Sequence, residues 1–367
     1  DLHAIYDFQH VANYFCNRGS NVYIVALDAS KAFDRIDHNV LFKILIKRKL
    51  PACFVSILAN WYSRLSSCVR WNGVYSSFAN FHCGVHQGAI LSPYLFNIYV
   101  DELISNLKQE GIGCHIGPHY VGCFMYADDL ILLSASLSEL QQMINTCSKF
   151  CRDANIIFNI KKSVCTVVGK YRHLVHANIK LDDNILLWVN KLKYLGICFE
   201  AGDLLEIDIS PTRQRFYTAC NCLLRRCGNN DIVKLQLMKS YCLPLLTYCL
   251  GCLNLNASAL HSLSVCWNDG YRMVFGTNRW ESVKPLQFFC NDLPFDYMYD
   301  LARAKFFVKS VNACSLSYHL NQTFMMEHNL LTFLMSKYKL DMLNFSLRCF
   351  KLSVYNCFRD LVLGKYL

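Results

Sequence analysis

The sequence predicts an α+β fold, a split βαβ antiparallel sheet with helices on one face, followed by a helical half. Three observations predict it. Up to about residue 200, short β-rich runs and helical spacings follow one another in the order β-α…α-ββ-α-β. Two of these runs, Val22 to Leu27 and Cys123 to Leu133 with its central break, are strongly apolar, as buried strands are. After about residue 205 the apolar period becomes that of a helix almost throughout.

Taken in order, Leu2, Ile5, Phe8, Val11, Ala12 and Phe15 sit at helical spacing, and Gly19 closes that helix. No start signal precedes it, so the chain reads as a piece of something longer. Val22 to Leu27 is a strand ending at Asp28. Asn39 is placed to cap a helix through about Arg48, and a second helical stretch runs from Ala52 to Tyr62. Val69 to Phe81, with Asn72-Gly73 at its middle, reads as a hairpin. Pro93 opens a helix to about Leu107, at the first-turn position that suits proline. Gly122 to Ser134 is a second hairpin. Ser136-x-x-Glu139 reads as a capping box, and the helix behind it carries Leu140, Ile144, Cys147 and Cys151 on one face. Val164 to Val168 and Leu192 to Phe199 are further strands.

The chain has 367 residues, of which 53% are hydrophobic and 14% aromatic, which excludes disorder and allows two or three substantial cores. Its 37 basic against 27 acidic residues give a net charge of +10, which suits a polyanionic partner. The 21 cysteines are scattered through apolar runs. No secretory signal precedes them, so they read as small buried hydrophobes rather than a disulfide framework. Cys249-x2-Cys252-x8-His261-x4-Cys266 has soft ligands in a short span. Its spacing is not that of a standard knuckle, and Leu243 to Leu255 reads as a buried helix, so no zinc is expected. No run of 18 apolar residues suggests a membrane span, so no membrane partner is expected either.

The chemistry concentrates at Asp128-Asp129. By itself such a pair reads as a turn, because aspartate bonds its own backbone there. Here it lies between the apolar arms Cys123-Phe124-Met125-Tyr126 and Leu130-Ile131-Leu132-Leu133. Two adjacent carboxylates at the tip of a buried hairpin repel one another unless a cation is near. Mg²⁺ takes oxygen ligands and leaves room for substrate phosphates. If the strand ending in Asp28 lies beside the hairpin, Asp28 and Asp128 project from one sheet edge. That is the layout of a two-metal site for in-line displacement at phosphorus.

These residues resemble a known family. Asp28-Ala29-Ser30-Lys31-Ala32-Phe33-Asp34 is similar to the first aspartate motif of non-LTR (LINE-type) retrotransposon reverse transcriptases. Gly84-Val85-His86-Gln87-Gly88-Ala89-Ile90-Leu91-Ser92-Pro93, followed by Phe96-Asn97, resembles the second. Tyr126-Ala127-Asp128-Asp129 resembles the third, Asn159-x-x-Lys162-Ser163 the fourth, and Lys193-Tyr194-Leu195-Gly196-Ile197 the primer grip. Five motifs stand in the family's order over residues 28–197. Weaker likeness continues to about residue 310.

The resemblance implies a right-hand polymerase, an RNA-directed DNA polymerase acting on an RNA template, a DNA primer or target and deoxynucleoside triphosphates. Its domains would be residues 1–20 as a remnant of a fingers helix, 21–200 as palm with partial fingers and primer grip, 201–275 as helical thumb and 276–367 as helical extension. Two Mg²⁺ ions, with Mn²⁺ as alternative, would be held by Asp28, Asp128, Asp129 and the Ala29 carbonyl. Phe33 would be a steric gate against the ribose 2′-hydroxyl. Gln87 and Gly88 would cradle the incoming nucleotide, with Tyr126 beside it. Lys162, or Lys161 next to it, would protonate the leaving pyrophosphate. Tyr194, Leu195 and Gly196 would hold the primer terminus. His86 departs from the family's usual Arg or Pro and is given no role.

The chain is expected to start about one helix too late to contain the family's basic triphosphate-gripping residues, and to leave no room for its N-terminal endonuclease. A catalytically inactive binding remnant, and a group II intron maturase or telomerase type of polymerase, are the alternatives. The Lys31-Ala32-Phe33-Asp34 string favours the LINE type over the last two. Arg213, Arg215, Arg225, Arg226, Lys234 and Lys239 punctuate the helical half, with Phe216, Tyr217, Leu223 and Leu224 between them. They suit helices that pack apolar faces together and turn cations to a nucleic-acid backbone. The expected location is intracellular, in the nucleus, the cytoplasm or both.

Overall fold

The computed structural model describes residues 2–174, 177–228, 230–312, 320, 326–340 and 346–364. It divides into two compact units: residues 11–194 with 201–204, and residues 1–10 with 195–200 and 205–367.

The first of these units is built on a five-stranded sheet. Its helices are the end of α1 (Leu2–Asn17), α2 (His38–Lys47), α3 (Ala52–Ser63), α4 (Ser92–Glu110) and α5 (Leu137–Asp153). Its strands are β1 (Val22–Asp28), β2 (Cys123–Tyr126), β3 (Asp129–Ser134), β4 (Val164–Val168) and β5 (Leu187–Trp188), in the spatial order β5-β4-β1-β3-β2. β1 lies at the centre and is antiparallel to both neighbours. β5 adds a parallel pair at one edge, which the sequence reading did not anticipate.

The register sets one face. Val25 stands opposite Leu132 and Cys165, and Leu27 opposite Leu130. These side chains pack against Leu103 and Leu107 of α4 and Leu140, Met143, Ile144 and Cys147 of α5. Both helices therefore cover one face, as the α+β reading expects. A second core joins α2, α3 and the first half of α4 to Ala29, Ala32 and Ile36, which follow β1. It anchors the loop that leaves the end of the central strand.

Burial decides what the hairpin tip can carry. Leu130, Ile131, Leu132 and Leu133 are each at most 1% exposed. Each contributes about 1.5–3 kcal/mol on burial. Repulsion between two carboxylates about 4 Å apart costs about 1–4 kcal/mol near a surface. The arms outweigh the repulsion, so the sequence can hold like charges at the tip without unfolding it.

Several local expectations are corrected. Asp37, not Asn39, caps α2; its Oδ1 accepts from the Asn39 and Val40 amides at 2.8 and 3.2 Å. Asp37 is the last extended residue, which is what a cap requires. Ser136 makes no capping bond, and Glu139 does not reach back to it. Instead Glu139 Oε2 accepts from Ser134 Oγ at 2.8 Å and the Gly113 amide at 3.3 Å, so tertiary partners win over the local box. The strand expected over Leu192–Phe199 is two strands, Lys191–Tyr194 and Ile197–Ala201. Leu195 and Gly196 break it with consecutive left-handed residues, φ 45° and 82°. The helix expected over Leu243–Leu255 ends at Thr247, because Tyr248 is extended and Cys249 left-handed at φ 55°.

The second unit is largely helical. Helices Ser210–Leu224, Asp231–Leu237 and Ala257–Phe275 surround Phe216, Trp267, Tyr271 and Phe295. A further core gathers Leu334, Tyr338, Phe350, Val354 and Phe358. Among the described residues, no helix is long and apolar enough to cross a membrane.

Candidate active site

β2 and β3 are joined by two residues, with Tyr126 paired to Asp129 across the turn. Ala127 takes φ 51° there, an unusual conformation for a residue with a side chain. Strain of this kind collects at sites that need a particular geometry. The turn leaves Tyr126 43% exposed.

Asp129 is the register partner of Asp28 on β1. The link continues through the backbone, since the Ala29 amide donates to the Asp128 carbonyl at 3.2 Å. Asp28, Asp128 and Asp129 thus come together, but Asp129 rather than Asp128 faces Asp28 in the ladder. Burial holds the Asp129 carboxyl above the ordinary carboxylate range, and the charges of Asp128 and Asp28 push it further. The ammonium groups of Lys162 and Lys193 act in the opposite direction.

The fourth motif closes the other side of β1. The Asn159 amide donates to the Asp28 carbonyl at 2.7 Å, and the Ser30 amide to the Ile157 carbonyl at 2.8 Å. Ala29 is buried and bridges Phe158. Asn159 Oδ1 accepts from the Lys161 amide at 3.1 Å, and its carbonyl from the Lys162 and Ser163 amides. That turn directs Lys162 Nζ to 3.5 Å from Asp28 Oδ2, while Ser163 Oγ accepts from the Asp28 amide at 3.3 Å. Lys162, not Lys161, makes the ion pair with the aspartate.

The first two motifs are stitched together. The Val85 amide donates to the Phe33 carbonyl and the Gly84 amide to the Ile36 carbonyl, both at 2.8 Å. Gln87 Nε2 donates to Asp34 Oδ1 at 3.2 Å. The Phe33 ring is half-buried and stacks on Phe96, centroids 4.5 Å apart. Gly88 is exposed, with φ 86° and open space where a Cβ would point.

Sequence reasoning missed Gly84 and His38. A Cβ on Gly84 would lie 2.8 Å from the Asp34 carbonyl oxygen, and His38 Nε2 is 2.7 Å from the Gly84 carbonyl. The glycine was visible as the first residue of its motif; the partner loop was not. Lys193 was also missed, although it lies in a quoted motif.

The proposed primer-holding residues divide between the units. Tyr194 is buried at the end of the first. Leu195 and Gly196 belong to the second, where Tyr248 braces them: its hydroxyl donates to the Leu195 carbonyl at 3.1 Å.

Among the described residues, no three His, Cys, Asp or Glu side chains form a ready cation cage. The donor chemistry of the aspartates nevertheless fits a hard divalent cation. It offers only oxygens, and the neighbouring charges of Asp128 and Asp28, which help raise the Asp129 carboxyl, are ones a cation would offset.

An apolar sheet backed by two helices on one face, with paired aspartates at a hairpin tip and a third on the central strand, is the palm of a nucleic-acid polymerase. The reverse transcriptase (RNA-dependent DNA polymerase) family matches residues 1–199, more than half of the chain, and the chain belongs to that family. Its curated relatives are proteins of retrotransposable elements, in keeping with the non-LTR resemblance. The Pol polyprotein of type-2 retrotransposable element R2DM from Drosophila melanogaster is 30% identical over 212 residues, 54% of this chain and 20% of that protein. A Pol polyprotein of type-1 element R2 from Popillia japonica is 26% identical over 276 residues, 71% of this chain and 44% of that protein. A transposon TX1 protein of Xenopus laevis is 26% identical over 236 residues, 62% of this chain and 17% of that one. The chain thus spans less than half the length of these three relatives. A solved telomerase from Candida albicans, in complex with a fragment of telomeric RNA, is 13% identical with a TM-score of 0.42, over 82% of this chain and 51% of that one.

Proposed function

We propose that the chain is the polymerase core of an RNA-directed DNA polymerase from a non-LTR retrotransposon. It would add deoxynucleotides to a primer 3′-hydroxyl on an RNA template. The observation that carries this reading is the pairing of Asp28 with Asp129 in a sheet whose loops hold the other family motifs. In this reading residues 1–20 are a fingers remnant, 21–200 the palm with partial fingers, 201–275 the thumb and 276–367 a helical extension.

Asp28, Asp128, Asp129 and the Ala29 carbonyl would hold the Mg²⁺ ions, or Mn²⁺ in their place. Bound there, the metal supplies Lewis acidity for in-line displacement at phosphorus. The protein's own groups do the rest. Lys162, held near Asp28, donates a proton toward the leaving pyrophosphate. Gln87 and Gly88, both exposed, would take the incoming nucleotide, as would the exposed Tyr126. Phe33, fixed by Phe96, sets a flat wall against a 2′-hydroxyl. Tyr194, Leu195 and Gly196 position the primer end, the last two braced by Tyr248.

Arg213, Arg215, Arg225 and Arg226 are exposed along and just beyond one helix, placed for phosphate contacts. Lys234 and Lys239 are engaged with Asp231 and Asp292 at 2.9 and 2.6 Å and are less suited to that role. The partners are an RNA template, a DNA primer or target and deoxynucleoside triphosphates, met in the nucleus or cytoplasm.

The test is primer extension on an RNA template with Mg²⁺ and deoxynucleotides, using this chain and a version carrying more upstream sequence. Extension is expected, with at least a hundredfold loss in Asp128→Asn, about 3 kcal/mol of barrier. If Asp128→Asn extends as well as the parent, the assignment fails.

A further inference from the structure

The Cys249-x2-Cys252 spacing remains unused by the polymerase reading. Its two partners in the zinc-like pattern lie elsewhere: His261 is exposed and Cys266 is buried in the core with Trp267. Cys249 and Cys252 themselves are held together by a tight turn. The Cys252 amide donates to the Cys249 carbonyl at 3.0 Å, and Cys252 Sγ to the same oxygen at 3.1 Å. A turn closed this way keeps its end Cα atoms within about 7 Å, near the span of a disulfide. The turn is also immobilised, since a Cβ on Gly251 would lie 2.5 Å from the Ala302 carbonyl oxygen of the helix Phe295–Asn312. Next in the chain is Tyr248, which braces the Leu195–Gly196 turn.

We propose that Cys249 and Cys252 are a reversible dithiol–disulfide pair, closed by hydrogen peroxide, whose state passes through Tyr248 to the Leu195–Gly196 turn. The consequence for primer handling rests on the reading of that turn given above; the redox chemistry does not.

The two thiols differ in reactivity. A hydrogen bond from Cys252, assisted by Tyr248, draws the Cys249 thiol down to about 7, whereas burial pushes Cys151 and Cys165 up to about 12. The lowered value favours the Cys249 thiolate, the nucleophilic form, over that of Cys252. The thiolate attacks one peroxide oxygen, the O–O bond breaks, and hydroxide leaves and takes up a proton as water. The resulting sulfenic acid is attacked by Cys252 sulfur, forming the S–S bond and releasing a second water. Two thiols are oxidised and one peroxide is reduced to two waters.

The coupling follows from chain continuity. Tyr248, whose hydroxyl donates to the Leu195 carbonyl at 3.1 Å, directly precedes Cys249. Closing the disulfide fixes the Cys249 backbone, and with it the Tyr248 ring against the Leu195–Gly196 turn.

To test this, the reduced full chain is titrated with hydrogen peroxide, alkylated, digested and weighed. The peptide holding Cys249 and Cys252 is expected to lose two hydrogens before exposed Cys53, Cys83, Cys222 or Cys349 is modified, and dithiothreitol should restore it. Cys252→Ser, which keeps a hydrogen-bond donor beside Cys249 but has no resolving thiol, should stop at a sulfenic acid that dimedone captures. If both cysteines are still alkylated after the exposed thiols have reacted, the pair is refuted. For the coupling, amide exchange over residues 194–198 should slow severalfold on oxidation in the parent and not in Tyr248→Phe. Equal exchange in the oxidised and reduced parent would overturn it. Neither readout involves polymerisation, so failure here is separate from failure of the proposed activity.

Discussion

Asp28 and Asp129 are register partners on adjacent antiparallel strands, the central strand and its hairpin neighbour. The ladder places two carboxylates side by side at the end of the paired apolar runs Ile24–Leu27 and Leu130–Leu133. Burial and like charge together hold the Asp129 carboxyl above its ordinary value of 3.8. Folding therefore binds a proton more tightly at this group. Its contribution to stability is full below pH 3.8 and is lost as the pH rises through the raised folded-state value. Asp129→Asn should remove that part of the pH dependence. In chelator, its melting temperature should equal or exceed the parent's at pH 7, and the difference should shrink towards pH 3.8. Mg²⁺ at a hundred times its dissociation constant should stabilise the parent by about 2.7 kcal/mol and the variant by less. A parent no more sensitive than Asp129→Asn to pH or Mg²⁺ would contradict the site.

Lys162 separates catalysis from stability. Its ion pair with Asp28 is 3.5 Å long and the lysine side chain is 66% exposed. Such a pair contributes under about 1 kcal/mol to folding. Lys162→Met should leave thermal unfolding nearly unchanged while lowering the single-turnover extension rate about a hundredfold, the value of a positioned acid. An unchanged rate would remove the role and leave a surface ion pair.

Phe33 is held by Phe96 at 4.5 Å in a near-parallel stack. Phe33→Val should raise ribonucleotide incorporation relative to deoxynucleotide at least tenfold, with a stability loss of about 1 kcal/mol from the lost stack. Phe96→Leu should give part of the same rise, because it frees the ring without removing it. Unaltered discrimination in Phe33→Val would rule out the gate.

Two glycines in one loop should respond differently. Gly84 has φ 88° and no room for a Cβ beside Asp34; Gly88 has φ 86° and open space. Gly84→Ala should cost about 2–4 kcal/mol, and Gly88→Ala about 1 kcal/mol, the conformational part alone. Denaturant midpoints of the two variants measure the difference. Equal losses would mean the Gly84 approach to Asp34 is not rigid.

The parts of this protein that its sequence determined are those whose signal is local. The apolar arms around Asp128-Asp129 specify a buried hairpin, because side-chain period and burial go together along a strand. The helical face of Leu140, Ile144, Cys147 and Cys151 is buried as its spacing requires. Asn72-Gly73 forms its turn with both residues left-handed, φ 47° and 83°. The motifs could be read in order because each is contiguous.

Tertiary structure decided whatever depends on a partner distant in the chain. The sequence put Asp28 and Asp128 at one sheet edge; strand register, set by which side chains meet α4 and α5, decided that Asp129 pairs with Asp28 while the Asp128 carbonyl accepts from Ala29. The Ser136 box yielded to Glu139's bonds with Ser134 and Gly113, since a part-buried carboxylate takes the donors that packing brings to it. Gly84 became necessary only when its loop met Asp34, some 50 residues away. Local pattern thus supplied the chemistry, and the packing of distant segments supplied its geometry.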